Sequence, residues 1–456
     1  MTYPRRSGEE RGVPTMIHPA EVHGQLARHL LVDGFDLVLD TSRSQGSQIV
    51  DARDGRAYLD FFTFFASSPL GMNPPQLTGD LEFLATLTEV AVNKPSNSDV
   101  YTTHLAEFVT TFERVLGIED LPRLFLVSGG ALAVENALKA AFDFKQRHNA
   151  DHGRHPERGT RVLHLTQAFH GRTGYTLSVT NTDTRKTARF PKFDWPRIDV
   201  PAMRFPIEDH LDEVVAAEQV ALAQAREAFE RHSDDIACFL AEPIQGEGGD
   251  NHLRPEFLRA MQALCHEHDA LFVVDEVQTG VGASGTAWCH QQLGIEPDLV
   301  AFGKKAQVCG VMAGRGLEQV QPNVFTEPGR INSTWGGNLT DIVRSRRVLE
   351  VIEDEELIEV AAKLGAHLLD GVREVAAHHS SLVDNVRGRG LLCAFDLPDP
   401  GTRDALLAEM FTTERVLLLG GGTRSVRFRP HLAVTVPDLD AGLAALDRAL
   451  DRLTRR

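Results

Sequence analysis

Between about residues 100 and 340 the chain alternates short apolar runs with stretches whose apolar residues recur at helical spacing. The runs at residues 124–127, 162–166, 236–241, 271–274 and 299–302 are short and bounded by turn-forming residues. Continuous apolar runs of this length mark strands buried on both faces, and their alternation with helices predicts an α/β fold with a mostly parallel sheet covered by helices.

The flanks read differently. Residues 18–33 carry apolar positions at helical intervals, and 48–52 with 57–62 form a strand pair turned at Asp54-Gly55, a strong hairpin signal. The phenylalanine-rich stretch 61–65 reads as the crossing from a small domain into a large one. Beyond Asp341 an amphipathic stretch runs to His379, after which 390–397 and 425–434 read as strands. Three segments follow: 1–75, part of a small α+β domain; 76–340, a large domain; and 341–456, which completes the small domain from the other chain end.

Two apolar runs deliver chemistry. Residues 271–274 lead into Asp275 and Glu276, and 299–302 lead into Gly303, Lys304 and Lys305, so an acid and an amine meet at the carboxyl edge of the sheet, where open α/β sheets bind ligands. That pairing suits pyridoxal phosphate, whose aldehyde takes a lysine amine and whose ring nitrogen needs a carboxylate to stay protonated. On pattern alone, a structural strand end with a surface lysine pair explains the same residues equally well.

Composition narrows the classes. The 456 residues suffice for two or three domains, and 47 basic against 64 acidic residues give a formal charge of −17, which argues against nucleic acid or an anionic membrane as partner. No apolar run is long enough to span a bilayer, and residues 1–15 lack the apolar core of a signal peptide. The first dozen residues read as a mobile tail. Five cysteines, Cys238, Cys265, Cys289, Cys309 and Cys393, are widely spread with no C-x-x-C, which fits a reducing cytoplasm and argues against a disulfide framework or zinc site. The histidine-dense stretch 147–159 reads as a solvated loop. Cys265-His266-Glu267-His268 sits in a helix where adjacent side chains face different ways, so no metal is expected.

Further motifs converge on the same crevice. Ser128-Gly129-Gly130-Ala131 opens a helix whose free N–H groups at Gly130 and Ala131 suit a phosphate. Gln167-Ala168-Phe169-His170-Gly171-Arg172 follows the next strand, and 241–249 reads Ala-Glu-Pro-Ile-Gln-Gly-Glu-Gly-Gly. Asn332-Ser333-Thr334-Trp335-Gly336-Gly337-Asn338 and Val426-Arg427-Phe428-Arg429-Pro430 complete the set.

In order and spacing these segments resemble the class III aminotransferases, pyridoxal phosphate enzymes of fold type I. The glycine turn departs from the family's commoner Ser-Gly-Thr or Ser-Gly-Ser followed by Glu-Ala, which bears on side-chain phosphate contacts and not on backbone ones. The resemblance implies Lys304 as the Schiff-base lysine, with Lys305 as competitor, and Asp275 on the ring nitrogen. It also implies Phe169 stacked on the ring, His170 beside it, and Gln278 near the ring oxygen and the substrate. Thr334 would reach the phosphate of a neighbouring subunit, so that a homodimer shares its active sites, and Asn332 lies in the same loop. Arg427 would grip the α-carboxylate of glutamate or 2-oxoglutarate, Glu247 would shield it, and Arg172 would take the donor's distant carboxylate. Arg429, two residues along the strand, reads as structural, as does Glu242. The segments are most similar to the branch acting on the ε-amino group of L-lysine with 2-oxoglutarate as acceptor. An ω-aminotransferase for ornithine or 4-aminobutyrate, a pyridoxal phosphate aminomutase and a non-catalytic relative are the alternatives.

Overall fold

The computed structural model describes residues 17–455. Its centre is a seven-stranded sheet in the order Arg123–Val127, Cys309–Ala313, Leu299–Phe302, Leu271–Asp275, Ile236–Ala241, Arg161–Leu165 and Arg197–Ile198. Every pairing is parallel except the two made by Cys309–Ala313, which runs against both of its neighbours. The sheet is therefore mostly parallel, as the alternation predicts.

Side chains of Leu271–Asp275 alternate between two cores. Leu271 and Val273 pack with Val134, Ala137 and Leu138 of helix Gly130–Asp151, while Phe272 and Val274 pack with Phe257, Leu258 and Met261 of helix Pro255–Glu267. Both faces are covered, which is why the strand is an unbroken apolar run; each such buried side chain contributes about 1.5–3 kcal/mol.

Early and late segments of the chain meet. Gln48–Val50 pairs antiparallel with Ala57–Asp60, and Ala57–Asp60 pairs parallel with Val416–Leu417, so residues from both segments share a three-stranded sheet. The hairpin turns where Asp54-Gly55 predicts, with Gly55 at φ 78°. A four-stranded antiparallel sheet of Asp384–Arg389, Leu392–Asp396, Ser425–Phe428 and Leu419–Gly421 carries Arg427. The strand expected over 425–434 thus ends at Phe428: Arg429 N donates to Phe61 O at 2.9 Å instead, and Pro430 has no N–H to continue the ladder.

Other expectations need correction. The helical reading of 18–33 shrinks to a 3₁₀ turn, Pro19–Glu21, and a short helix, Val22–Leu26, with no buried residue in either. The stretch 341–379 is two helices, Leu339–Asp354 and Leu357–His378, broken at Glu356, which takes φ 49°. The loop expected over 147–159 is helical as far as Asp151. The tail expected at the N-terminus lies outside the described residues. Among the described residues no helix is long and apolar enough to cross a membrane, no group of side chains is arranged to hold a metal ion, and all five cysteines are unpaired.

Candidate active site

Four parallel strands end at one edge and each hands on a polar group. Leu271–Asp275 ends in Asp275, Ile236–Ala241 leads to Glu242, Arg161–Leu165 to Phe169 and His170, and Leu299–Phe302 to Lys304. These residues line one cavity of about 690 Å³, joined by Gly130, Ala131, Arg172, Glu247, Gln278 and Arg427. Ten of the twelve side chains or backbone positions singled out from sequence are thereby brought together. Asn332 and Thr334 are not: both are exposed, in a loop that does not line this cavity.

The two lysines part company. Lys304 takes φ 48°, a left-handed conformation that disfavours a residue bearing a Cβ, and its side chain enters the cavity. Lys305 is buried elsewhere and donates to Ala66 O at 3.0 Å. Burial, with Arg427 adding, brings the Lys304 amine down to about 8, so it loses its proton far more readily than an ordinary lysine.

Asp275 is held from two sides. Its Oδ1 accepts from Val277 N at 3.0 Å and its Oδ2 from His170 Nδ1 at 2.8 Å. A carboxylate only accepts, so Nδ1 carries the donated proton, while Nε2 is buried with no partner. Glu242 lies close by, accepting from Phe169 N at 2.9 Å and Gly246 N at 3.2 Å, and burial pushes its carboxyl up to about 7. It braces the loops on either side of the site.

The glycine turn opens a helix, as its sequence predicts. Gly129 at φ 121° precedes helix Gly130–Asp151, and Ala133 N is the first to bond back, to Gly129 O at 3.0 Å. The N–H groups of Gly130 and Ala131 thus have no acceptor within the helix and face the cavity end of the helix dipole. A Cβ on Gly130 would come within 2.9 Å of Val277, which keeps that turn close to the strand carrying Asp275.

At the far wall, Arg427 is buried, with Nε and Nη2 donating to Gly420 O at 3.1 and 2.6 Å and Nη1 unpartnered. Burial lowers its hold on its proton. The Glu247 carboxylate lies 3.7 Å from Arg427 Nη2 and also bonds Lys186 Nζ. The Arg172 guanidinium stands 5.9 Å from the centre of the Phe169 ring. Gln278 Oε1 accepts from Arg429 Nη2 at 3.3 Å. Sequence reasoning did not single out Lys186, a lone lysine in a polar stretch with no motif around it. Phe65, in the stretch read as a crossing between domains, also lines the cavity.

The model of the aminotransferase class-III family matches residues 32–450. The chain belongs to the class III aminotransferases. It is 59% identical to the L-lysine-epsilon aminotransferase of Mycobacterium bovis over 97% of this chain and 98% of that one. The corresponding enzyme of Streptomyces clavuligerus is 55% identical over 94% of each chain. Among solved structures, a lysine aminotransferase from Mycobacterium tuberculosis in the internal aldimine form superposes with a TM-score of 0.94 at 59% identity, over 96% of this chain and all of that one.

Pyridoxal phosphate is the family's cofactor, and the residues present fit it. The cavity supplies a lysine amine with a depressed pKa, a carboxylate fixed by two donors, free N–H groups at a helix start and an aromatic face. These are the four things the aldehyde, ring nitrogen, phosphate and ring require.

Proposed function

We propose that this aminotransferase moves the ε-amino group of L-lysine to 2-oxoglutarate, giving 2-aminoadipate 6-semialdehyde and L-glutamate in two half-reactions. The observation that carries the reading is Glu247 beside the buried Arg427, at 3.7 Å. A donor reacting through a terminal amine brings no carboxylate to the reacting carbon, so Arg427 would be an unpaired buried cation without Glu247. When 2-oxoglutarate follows, Glu247 withdraws and Arg427 receives the α-carboxylate bidentately. Arg172 holds the remote carboxylate. L-Lysine as the donor rests on the likeness to the lysine enzymes over nearly the whole chain.

Bound pyridoxal phosphate supplies an aldehyde for the amine and a protonated ring that draws electrons from the reacting carbon. Lys304 would hold it covalently at rest, Asp275 its ring nitrogen, Phe169 one ring face, and Gly130 and Ala131 its phosphate. Gln278 would donate near the ring oxygen. The free Lys304 amine is brought down to about 8 by burial beside Arg427, so it is equipped to take a proton from the substrate carbon and return one. The His170 bond keeps Asp275 oriented through both half-reactions. Two copies would complete each other's sites, with Thr334 and Asn332 contributed from the exposed loop. The chain ends, 1–75 and 341–456, would form the smaller domain over 76–340. Five unpaired cysteines suit the cytoplasm.

The test is a half-reaction series. The holoenzyme is mixed separately with L-lysine, L-ornithine and 4-aminobutyrate, and the cofactor's visible band is followed before 2-oxoglutarate is added. Fastest loss with lysine, reversed by 2-oxoglutarate, supports the assignment. Faster conversion by either other amine replaces the donor, and reversal without any keto acid points to a mutase.

A further inference from the structure

Glu247 stands between two cations, and its direct bond is not to Arg427. Its Oε1 accepts from Lys186 Nζ, while Oε2 lies 3.7 Å from Arg427 Nη2, beyond the 2.7–2.9 Å or so of a direct charged hydrogen bond. Lys186 sits on the one-turn helix Thr184–Thr187, fixed by Asp183, whose carboxylate accepts from Arg185 N at 2.9 Å. The Lys186–Glu247 pair lines two cavities at once: the reactive one, and an outer polar one of about 350 Å³ bounded by Arg403, Asp404 and the glycines 420–422. The partition is thin there, since a Cβ on Gly421 would come within 2.9 Å of Arg427 Nε and one on Gly422 within 2.6 Å of Gly248 O.

Resting on the reading of Glu247 and Arg427 given above, we propose that Lys186 is the second seat of Glu247, a positioning residue that receives its carboxylate on the outer-cavity side when Arg427 binds 2-oxoglutarate. A carboxylate leaving one cation for open space loses its pairing while still partly desolvated, and that cost would fall on keto acid binding. With Lys186 already bonded, the swing needs only release of the longer contact, and the outer cavity gives the side chain somewhere to go. Lys186 also lies 5.4 Å from the centre of the Phe169 ring, near Arg172. The rival use of this lysine is therefore direct contact with the substrate's remote carboxylate.

A double-mutant cycle separates them. Lys186→Met, Lys186→Arg, Glu247→Ala and the Lys186→Met/Glu247→Ala pair are prepared as holoenzymes with matched cofactor content. Two readouts are taken: equilibrium binding of glutarate, an unreactive dicarboxylate, by calorimetry, and single-turnover rates with L-lysine and with 2-oxoglutarate. Lys186→Met is expected to weaken glutarate and to raise the half-saturating 2-oxoglutarate concentration about tenfold, the scale of one hydrogen bond to a charged group. The loss should fall at least tenfold harder on the keto acid half-reaction than on the lysine one. Lys186→Arg should restore most of it, and in the Glu247→Ala background Lys186→Met should add nothing. A penalty of equal size in that background overturns the proposal in favour of direct substrate contact, and equal losses in both half-reactions reduce Lys186 to a structural part. If Glu247→Ala alone leaves the balance of the two half-reactions unchanged, the shielding role of Glu247 itself is wrong, and the proposal falls with it.

Discussion

Lys305 Nζ donates to Ala66 O at 3.0 Å, and Ala66 closes a turn in which four consecutive non-glycine residues are left-handed. Thr63, Phe64, Phe65 and Ala66 take φ of 41°, 53°, 60° and 64°. Each such residue costs about 1–2 kcal/mol, so the turn persists only because its surroundings hold it. Asp60 Oδ1 accepts from Phe62 N and Thr63 N at 2.9 and 2.8 Å, Thr63 Oγ1 donates to Arg429 O at 2.6 Å, and Lys305 secures the far end. The result is Phe65 standing at the mouth of the cavity.

Adjacent lysines with separate duties should respond separately to substitution. Lys304→Ala is expected to leave the fold intact and abolish borohydride trapping of the cofactor. Lys305→Met is expected to retain trapping but lose about 1–3 kcal/mol of stability, the cost of leaving Ala66 O buried and unsatisfied. Peptide mass spectrometry of the reduced protein and denaturant titration decide. Trapping on Lys305 instead would invert the assignment.

Capture of pyridoxal phosphate by the cofactor-free protein should rise with pH. The neutral amine is the nucleophile, and Lys304 titrates near 8 because it is buried beside Arg427. At pH 8 about half of its amines are neutral, against about one in 250 for an ordinary lysine with pKa about 10.4. The capture rate is therefore expected to climb from pH 6.5 and level off above pH 9 with a midpoint near 8. A rate still climbing tenfold per pH unit above 9 would show an ordinary lysine.

Much of this arrangement is legible in the chain because buried parallel strands write themselves as unbroken apolar runs, and a run that ends in Asp275 or Lys304 also says where that residue is delivered. Cys309–Ala313 escaped because Gly310 interrupts its apolar run, at a place where a Cβ would come within 2.4 Å of Phe125 O. The glycine that weakens a strand signal is what lets that strand pack. Residues 18–33 misled in the opposite way: their apolar spacing is helical, yet no residue of the short helix is buried, and periodicity without a surface to bury against does not sustain a long helix. Lys186 was invisible for another reason. Its meaning comes entirely from Glu247, 61 residues away in sequence.

Replacing Asp275 tests whether the carboxylate acts through charge. Asp275→Asn keeps the size and the contact with His170, with the tautomer reversed, but removes the negative charge at this position. The variant is expected to trap cofactor on Lys304 and to lose on the order of 10²–10³-fold in turnover, the scale of losing one preorganised electrostatic contact. His170→Ala should cost less, since Val277 N still holds Oδ1. Steady-state kinetics with cofactor occupancy measured in parallel separates weaker binding from slower chemistry, and an Asp275→Asn enzyme of normal turnover would remove the acid from the mechanism.

Asn332 and Thr334 pose the question of which copy they serve. Their loop is rigidly seated: Ser128 Oγ donates to Trp335 O at 2.8 Å, and a Cβ on Gly336 would come within 2.2 Å of Leu126 O. Neither Asn332 nor Thr334 lines the cavity of its own chain, so under the two-copy reading proposed above the phosphate that Thr334 meets is a second copy's. Two dependences follow. Thr334→Val should weaken pyridoxal phosphate binding about tenfold, one charge-assisted hydrogen bond, and dilution of the unmodified protein below its dimer dissociation constant should weaken cofactor binding as well. In Thr334→Val the dilution effect should be smaller, because part of what the partner supplies is already gone. Cofactor titrations across a range of protein concentrations read all three quantities. Cofactor affinity independent of protein concentration in a chain that demonstrably dissociates would mean that each copy holds its cofactor unaided.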